Sequence, residues 1–302
     1  MIFEGVGYSD QGATRESNQD SYLIKVAETH VGDVAMAAVA DGMGGLEKGE
    51  LASAAVARML SEWFDTKLPL ALEALDASVE GFELYVDGQL KGLVQEMNLQ
   101  LIRYGMSAQA NMGTTLTVML AIGGRYSIAH VGDTRAYQIT SDGIVQLTCD
   151  QTLVQRELEA GNITEEETRV HPQRNVLLQC LGSTREVLPQ LIHGNVQNNA
   201  IYLLCSDGFR HEVTAGELYG ALGPRVLDAA AWERERRWRE SRAGAGMIPG
   251  GSGPEGTAPE SPAPEGTPSS ALMRIADLVM ARGEADNITG IVLRAHAEEV
   301  RS

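Results

Sequence analysis

Short apolar segments, most of them bounded by glycine, aspartate or asparagine, recur along the sequence. Segments of this kind that are rich in β-branched residues are typical of β-strands. Ala136–Thr140 and Ile144–Leu147 are joined by an Asp-Gly turn, which is the pattern of a hairpin. The other predicted strands are Val34–Ala40, Thr115–Ala121, Tyr126–Val131, Val187–Val196, Ile201–Cys205 and Ile288–Arg294.

Helical segments are inserted between these strands in blocks rather than one after each strand. Strands joined by tight turns form antiparallel sheets, whereas a doubly wound parallel sheet needs a helix at nearly every crossover. We therefore predict an α+β domain with an antiparallel sheet. The predicted helices are Gly49–Phe64, a long helix within Leu70–Tyr104, Gln151–Ala160, Thr214–Leu222 and Ala271–Arg282.

The chain is strongly acidic. It has 302 residues, with 41 Asp and Glu against 24 Lys and Arg and a formal net charge of -17. A nucleic-acid backbone or an anionic membrane would repel this charge, so neither is expected as the main partner.

Cys149, Cys180 and Cys205 fit neither a disulfide framework nor a zinc site. Since the start has no leader-like pattern and no apolar segment reaches about 20 residues, we expect a cytoplasmic protein.

Two neighbouring segments interrupt the alternation of strands and helices. Ala229–Arg242 has interleaved Glu and Arg, and reads either as a solvated helix with i,i+3 and i,i+4 ion pairs or as a basic docking surface. The segment 243–270 holds six of the ten prolines and few large apolar residues. It cannot bury enough surface to offset the entropy of ordering, so we predict a disordered insert there.

Aspartates lie at the ends of several apolar segments. Asp41 and Asp207, each followed by glycine, end VAMAAVA and AIYLLCS. Asp133 follows SIAHVG, Asp286 precedes ITGIVL, and Asp20 in RESNQDSY is a fifth candidate. Each one alone could be a turn or capping residue. If the strand ends meet in space, however, the carboxylates repel one another and stay partly protonated unless cations bind them.

A set of oxygen ligands favours hard divalent ions such as Mg²⁺ or Mn²⁺ over zinc. Two such ions can activate a water and stabilise an in-line phosphoryl displacement. Arg15 lies five residues before Asp20. Its guanidinium could hold phosphate oxygens bidentately, and the alternative is a surface arginine paired with Glu16.

Seven motifs follow one another along the chain, namely GATRESNQDS, VADGMGGLEKGELAS, MGTTL, HVGDTRAY, LTCDQTLVQRELEAGNITEEE with HPQRNVLLQCLG, LCSDGF and ADNIT. In this order they resemble the metal-dependent type 2C (PPM) Ser/Thr protein phosphatases in their compact bacterial form. The resemblance covers essentially the whole chain outside 243–270 and implies a single catalytic domain over 1–302. Its implied fold is a central antiparallel β-sandwich flanked by helix pairs, in four layers.

The resemblance also implies a metal centre with two tightly bound Mn²⁺ or Mg²⁺ ions at one end of the sandwich. By position, Asp41 would bridge both ions and the backbone carbonyl of Gly42 would bind the second. Asp207 and Asp286 would hold the first ion. Asp133, together with Asp207, would bind a weaker third ion.

Two further residues and one segment have implied roles. Asp20 corresponds to an acidic residue that orients metal-bound water, and Arg15 to the arginine that binds the substrate phosphate. Residues from about 148 to 182 resemble a mobile flap beside the active site, which affects substrate choice. The extra helix at about 223–242 and the insert exceed the usual compact form.

The sequence departs from the family pattern near two of these residues. Many relatives have a histidine soon after the bridging aspartate, where this chain has Met43 and Leu46, so a histidine general acid is absent there. His171 lies in the flap, where its His-Pro pair is more typical of a turn than of a catalytic role. Arg210 and His211 stand where many relatives have Thr or Ser and Asp or Asn.

The resemblance indicates a phosphatase that hydrolyses phosphoserine and phosphothreonine in proteins by direct attack of a metal-bridging hydroxide. The alternative is a pseudophosphatase-like binding or scaffold module with the same fold, which loss of the metal-binding aspartates would have favoured. A narrower enzymatic role is regulation of one phosphoprotein switch. The implied partners are phosphoprotein substrates and an antagonist Ser/Thr kinase, and we expect a monomer.

Overall fold

The computed structural model describes residues 1–43, 48–74, 79–243 and 263–297. The strands are β1 (Ile2–Asp10), β2 (Asp20–Thr29), β3 (Gly32–Asp41), β4 (Leu116–Ile122), β5 (Arg125–Val131), β6 (Arg135–Thr140), β7 (Gly143–Gln146), β8 (Gln190–Asn195), β9 (Ala200–Cys205) and β10 (Ile288–His296). The helices are α1 (Gly49–Thr66), α2 (Leu68–Glu73), α3 (Val79–Ala108), α4 (Leu153–Glu159), α5 (Glu165–Val170), α6 (Asp207–Arg210), α7 (Ala215–Leu222), α8 (Ala229–Ala243) and α9 (Pro268–Ala281).

The strands form two five-stranded sheets with antiparallel pairing. One sheet has the order β1-β10-β9-β6-β7 and the other has the order β2-β3-β4-β5-β8. Three clusters of buried side chains separate the layers: one lies between α1–α3 and the second sheet, one between the two sheets, and one between the first sheet and α7–α9. The predicted α+β sandwich with four layers is therefore confirmed.

Strand β3 shows why this fold requires long apolar segments. Val34 and Met36 belong to the cluster on the helix side, whereas Ala35 and Ala37 belong to the cluster between the sheets. Because both faces of β3 are covered, polar residues cannot alternate with apolar ones as they do on a half-exposed strand. Small alanines on the inner face let the two sheets approach each other.

The two N-terminal strands, β1 and β2, were not among the sequence predictions. Both carry polar residues at regular intervals, and most of their side chains are only partly buried. Their place in the fold comes from long-range pairing, since β1 pairs with β10 along its whole length. The predicted long helix is also divided, with α2 preceding α3.

Helix α8 is fixed to the body of the protein by a buried acid. Glu235 accepts hydrogen bonds from Arg239 Nε, at 2.8 Å, and from the backbone and hydroxyl of Ser269 at the start of α9. Arg236 and Arg237 both contact Glu233. The helix thus has the internal ion pairs of the solvated alternative. It begins at Ala229, and residues 223–228 form a turn.

The predicted disordered insert, 243–270, extends too far at its C-terminal end. Thr267 caps α9 through a capping box with Ser270, and Pro268 occupies the first turn. Proline at this position is compatible with a helix start because its missing N–H has no partner in the helix. Positions 244–262 lie outside the described residues.

The two sheets bring particular chain ends together at one end of the sandwich. Strand β3 ends and β2 begins there in one sheet, and β9 ends and β10 begins there in the other. The loop from β5 to β6, which passes from one sheet to the other, lies at the same end. Within the described segments, the helices lack the length and apolarity needed to cross a membrane.

Candidate metal centre

Asp20 and Asp41 face each other across neighbouring strands. They form the terminal pair of the β2–β3 register. Side chains at such positions lie within about 5 Å of each other, and like charges there are destabilising. Beyond Asp41, a Cβ on Gly42 would meet the carbonyl oxygens of Gly49 and Gln19 at 2.3 and 2.6 Å, so only glycine fits.

The opposite sheet contributes Asp207 and Asp286. Asp207 follows β9 as the first residue of α6, and Asp286 precedes β10 by two residues. Asp133 lies in the loop between β5 and β6 and is buried. The structure therefore places all five aspartates that the sequence singled out at the same end of the sandwich, near enough for their charges to interact; we call this set the aspartate cluster.

Burial and mutual repulsion raise the pKa of several of these carboxyl groups. For Asp20 and Asp133, burial is the largest cause and the Asp207 charge adds to it, which raises each pKa to about 7. Burial also raises the pKa of Asp41 well above its usual value, and Asp20, Asp207, Asp133 and Asp286 raise it further. A cation placed among these groups would reverse the effect and restore their ionised forms.

The hydrogen bonding of the cluster is incomplete. Both carboxylate oxygens of Asp20 and Oδ1 of Asp207 are buried and receive no hydrogen bond. The hydroxyls of Ser206 and Thr289 lie near Asp20 and partly lower its pKa, although neither is placed for a hydrogen bond. Buried carboxylate oxygens are costly unless a partner compensates them. Oxygen-only ligands fit Mg²⁺ or Mn²⁺, so the residues present fit the predicted cations.

The carboxylates do not yet surround a single point. Across the described residues, no group of three or more His, Cys, Asp or Glu has the close arrangement of a formed metal site. Arg15 lies at the edge of the cluster, where its Nη2 donates to Asp286 Oδ2 at 2.5 Å. Arg15 is exposed, as expected for a group that contacts substrate, and its partner is Asp286 rather than the alternative Glu16.

Asn287 organises the loop that carries Arg15, and the sequence predictions gave it no role. Its Oδ1 accepts from the Gln19 amide, and its Nδ2 donates to the carbonyls of Gln11 and Ser17. Gly12 in this loop has a φ of 74°, and a Cβ there would lie 2.3 Å from the Asp286 carbonyl oxygen. The only signal in the sequence is the position of Asn287 beside Asp286 in the motif ADNIT.

Comparison with known proteins identifies the family. The family model described as protein phosphatase 2C matches residues 9–238. The chain belongs to the protein phosphatase 2C family. Serine/threonine protein phosphatase PstP of Mycobacterium tuberculosis is 35% identical over 232 residues, which is 76% of this chain and 41% of that protein. The chain thus spans less than half the length of this relative.

Solved structures of phosphatase 2C proteins share the fold. The crystal structure of serine/threonine phosphatase Stp1 from Staphylococcus aureus matches with a TM-score of 0.73 and 25% identity, covering 98% of this chain and 96% of that one. The catalytic domain of PstP in complex with two manganese ions matches with a TM-score of 0.66 and 25% identity, covering 98% and 99%. The resemblance inferred from the seven motifs is confirmed.

A second group of buried charges lies beside the aspartate cluster. Asp150, at the start of the predicted flap, accepts hydrogen bonds from Arg135 Nε at 2.7 Å and Nη2 at 2.8 Å, and from Arg210 Nη2 at 3.2 Å. We call these three residues the Asp150 triad. Although burial raises the pKa of Asp150, the charge of Arg210 and the hydrogen bond and charge of Arg135 outweigh it and lower the pKa.

Arg210 and His211, which depart from the pattern of many phosphatase 2C relatives, lie between the loop that carries Asp133 and the loop that carries Asp286. Arg210 Nη2 also donates to the backbone carbonyl of Asp133, at 3.1 Å. His211 Nδ1 lies 3.8 Å from Glu284 Oε2, and Oε1 of the same glutamate accepts from the amides of Ala285 and Asp286. Each residue therefore lies next to a loop that carries a cluster aspartate.

Two other histidines have structural partners. His171 Nδ1 accepts from the Gln173 amide within a turn, as its His-Pro pair predicts. His130 is fully buried on β5 and contacts the Cys149 carbonyl and the Thr117 hydroxyl. Burial lowers the pKa of His130 to about 4. Met43 is described and Leu46 lies outside the described residues.

Proposed function

We propose that this protein is a metal-dependent phosphatase that hydrolyses phosphoserine and phosphothreonine in proteins. The observation that carries the proposal is the aspartate cluster, with its unpartnered buried oxygens and the exposed Arg15 at its edge. The PstP and Stp1 proteins, which are named as serine/threonine phosphatases, support the substrate class. The scaffold alternative is not favoured, since each aspartate of the pattern is present.

The chain's own residues have distinct tasks in this proposal. Asp41, the Gly42 carbonyl, Asp207 and Asp286 would hold two divalent cations, and the similar structure of PstP contains two manganese ions. Asp133 would hold a weaker third. When bound, the cations would supply the activated water that the direct-attack hypothesis requires.

Asp20 and Arg15 act on the water and the phosphate. Asp20 is buried opposite Asp41, so its free carboxylate oxygens can orient water next to the cations. Arg15 is on the solvent side and can donate two parallel hydrogen bonds to phosphate oxygens when it leaves Asp286. His130 is not available to protonate the leaving alkoxide, since it is buried with both ring nitrogens engaged.

The experiment that tests the function is hydrolysis of a phosphothreonine peptide. With Mn²⁺ the purified protein should release phosphate, and EDTA should stop the reaction. Asp207→Asn should lower the turnover at least about 100-fold, because one cation loses a charged ligand. Asp142→Asn, in the exposed turn between β6 and β7, is the matched control and should leave turnover unchanged. Full activity of Asp207→Asn would refute the proposal.

Several broader expectations belong to the same proposal. The chain would act as one phosphatase domain over 1–302, with a flap at about 148–182 and an extra helix at about 223–242. Its partners would be phosphoprotein substrates and an antagonist Ser/Thr kinase, and it would be a cytoplasmic monomer. The three unpaired cysteines, Cys149, Cys180 and Cys205, agree with a reducing compartment.

A further inference from the structure

We propose that Arg210 is a positioning residue that couples the root of the flap to the loop that carries Asp133, between β5 and β6. The flap root is the part of the predicted flap next to this loop, namely Asp150, Gln151 and, on the returning segment, Leu178. One nitrogen of its guanidinium, Nη2, donates to both the Asp133 carbonyl and Asp150 Oδ2. As far as it concerns turnover, this proposal rests on the phosphatase function above. The position is one at which the chain departs from the pattern of many relatives.

Helix α6 places Arg210 at the junction. The helix is a single turn that begins with the cluster residue Asp207 and ends with Arg210. The Arg210 side chain is only 10% exposed, and that of Asp150 is 9% exposed. Charge-assisted hydrogen bonds in such a site are stronger than neutral ones at the surface. One side chain therefore joins three parts of the site, namely α6, the Asp133 loop and the flap root.

The flap root is attached to the same loop by other bonds, which define what Arg210 supports. The Gln151 amide donates to the Gly132 carbonyl at 2.7 Å, and the Gly132 amide donates to Gln151 Oε1. From the other side of the root, the Leu178 amide donates to the Gln151 carbonyl at 2.7 Å. Movement of Asp150 would disturb both of these backbone bonds.

Removing Arg210 should loosen the root without unfolding the protein. Asp150 keeps two hydrogen bonds from Arg135, so its buried charge is still compensated. Arg210 Nε is buried without a partner, so its loss removes an existing penalty. The variant Arg210→Met preserves the length and the apolar stem of the side chain and is therefore the sharpest test.

The test is hydrogen exchange of the amides of Gln151 and Leu178. In Arg210→Met we expect exchange at both amides to rise about tenfold, because a charge-assisted contact of the root is lost. Arg210→Lys keeps the charge and should give intermediate rates. The control Arg282→Met removes an exposed arginine that binds Glu217 on the outer helices, and should leave both amides unchanged.

Enzyme kinetics with two substrates of different size provides a second, independent measurement. The kcat/KM for a phosphothreonine peptide should fall about tenfold in Arg210→Met, and this loss should exceed the loss for p-nitrophenyl phosphate, which is too small to touch a flap. Unchanged exchange at Gln151 and Leu178, or a rise spread evenly over the whole protein, would overturn the coupling. A wild-type protein without phosphatase activity would refute the function alone, since the exchange rates test the coupling independently.

Discussion

The aspartate cluster and the Asp150 triad are neighbouring groups of buried carboxylates with opposite chemistry. Asp150 receives hydrogen bonds from two arginines, which lower its pKa. Asp20 receives none, and burial raises its pKa to about 7. Both carboxylates are buried at the same end of the sandwich. The chain itself compensates the charge of one group and leaves the other for a partner that is not part of the chain.

The presence or absence of hydrogen-bond partners distinguishes a buried carboxylate that stabilises the fold from one that is suited to bind a cation. A buried carboxylate that is fully hydrogen-bonded stabilises one arrangement of the chain, and its removal leaves the partners uncompensated. A carboxylate without partners destabilises the fold until a cation binds. Mutations in the two groups should therefore change stability in opposite directions.

The largest expected effect is a loss of stability in the Asp150 triad. Asp150→Ala leaves two arginines facing a buried space, and we expect a loss of about 3 kcal/mol in the free energy of unfolding. Asp207→Asn removes one charge from the cluster, and in EDTA it should leave stability unchanged or raise it. Urea denaturation of both variants measures the two effects.

Addition of Mn²⁺ provides the control for this pair. The ion should stabilise the wild-type protein and Asp150→Ala, because it binds the folded state. It should stabilise Asp207→Asn much less. A loss of stability in Asp207→Asn as large as that in Asp150→Ala would show that the cluster is a structural group after all.

The second expected effect concerns His130, which helps to hold the flap root through the Cys149 carbonyl. Its folded pKa of about 4 lies below the unfolded value, so the unfolded state binds more protons and stability falls as the pH decreases from 6.5 towards 4. Between pH 8 and pH 5 this one group should cost about 2 kcal/mol.

The variant His130→Gln isolates this contribution. Its difference in stability from the wild-type protein should shrink as the pH falls from 8 to 5, measured by urea denaturation at each pH. His171→Gln, at an exposed turn of the flap, should follow the wild-type protein at both values. A constant difference between His130→Gln and wild type would contradict the assignment of the acid sensitivity to His130.

The smallest expected effect tests a third buried acid, on the far side of the first sheet. Glu235 is fully hydrogen-bonded by Arg239 and Ser269, as Asp150 is by its arginines. Glu235→Gln keeps an acceptor oxygen but loses the charge, so it should cost about 1 kcal/mol. Phosphopeptide turnover should stay the same, and a drop in turnover at constant stability would show that α8 affects the catalytic end.

The sequence singled out the aspartates that lie at one end of the sandwich, but it missed the strands β1 and β2 at the edges of the two sheets. Asp41 and Asp207 were found because each ends an apolar strand, a local pattern that a single strand reveals. Strands β1 and β2 were missed, since their alternating polar residues acquire meaning only through pairing with distant partners. The roles of Asp150 and Arg210 were also invisible, because a charge pair between positions 60 residues apart leaves no periodic signal.

The pairing of β1 with β10 has a consequence for how the protein matures during synthesis. Arg15 and Asp286 are in contact but are separated by 271 positions. Contacts of such long range form late, since the intervening loop must close first. A ribosome-bound chain that has not yet released β10 lacks both the partner of β1 and one aspartate of the cluster. The first sheet and the aspartate cluster are therefore completed only after β10 has been made and has paired with β1.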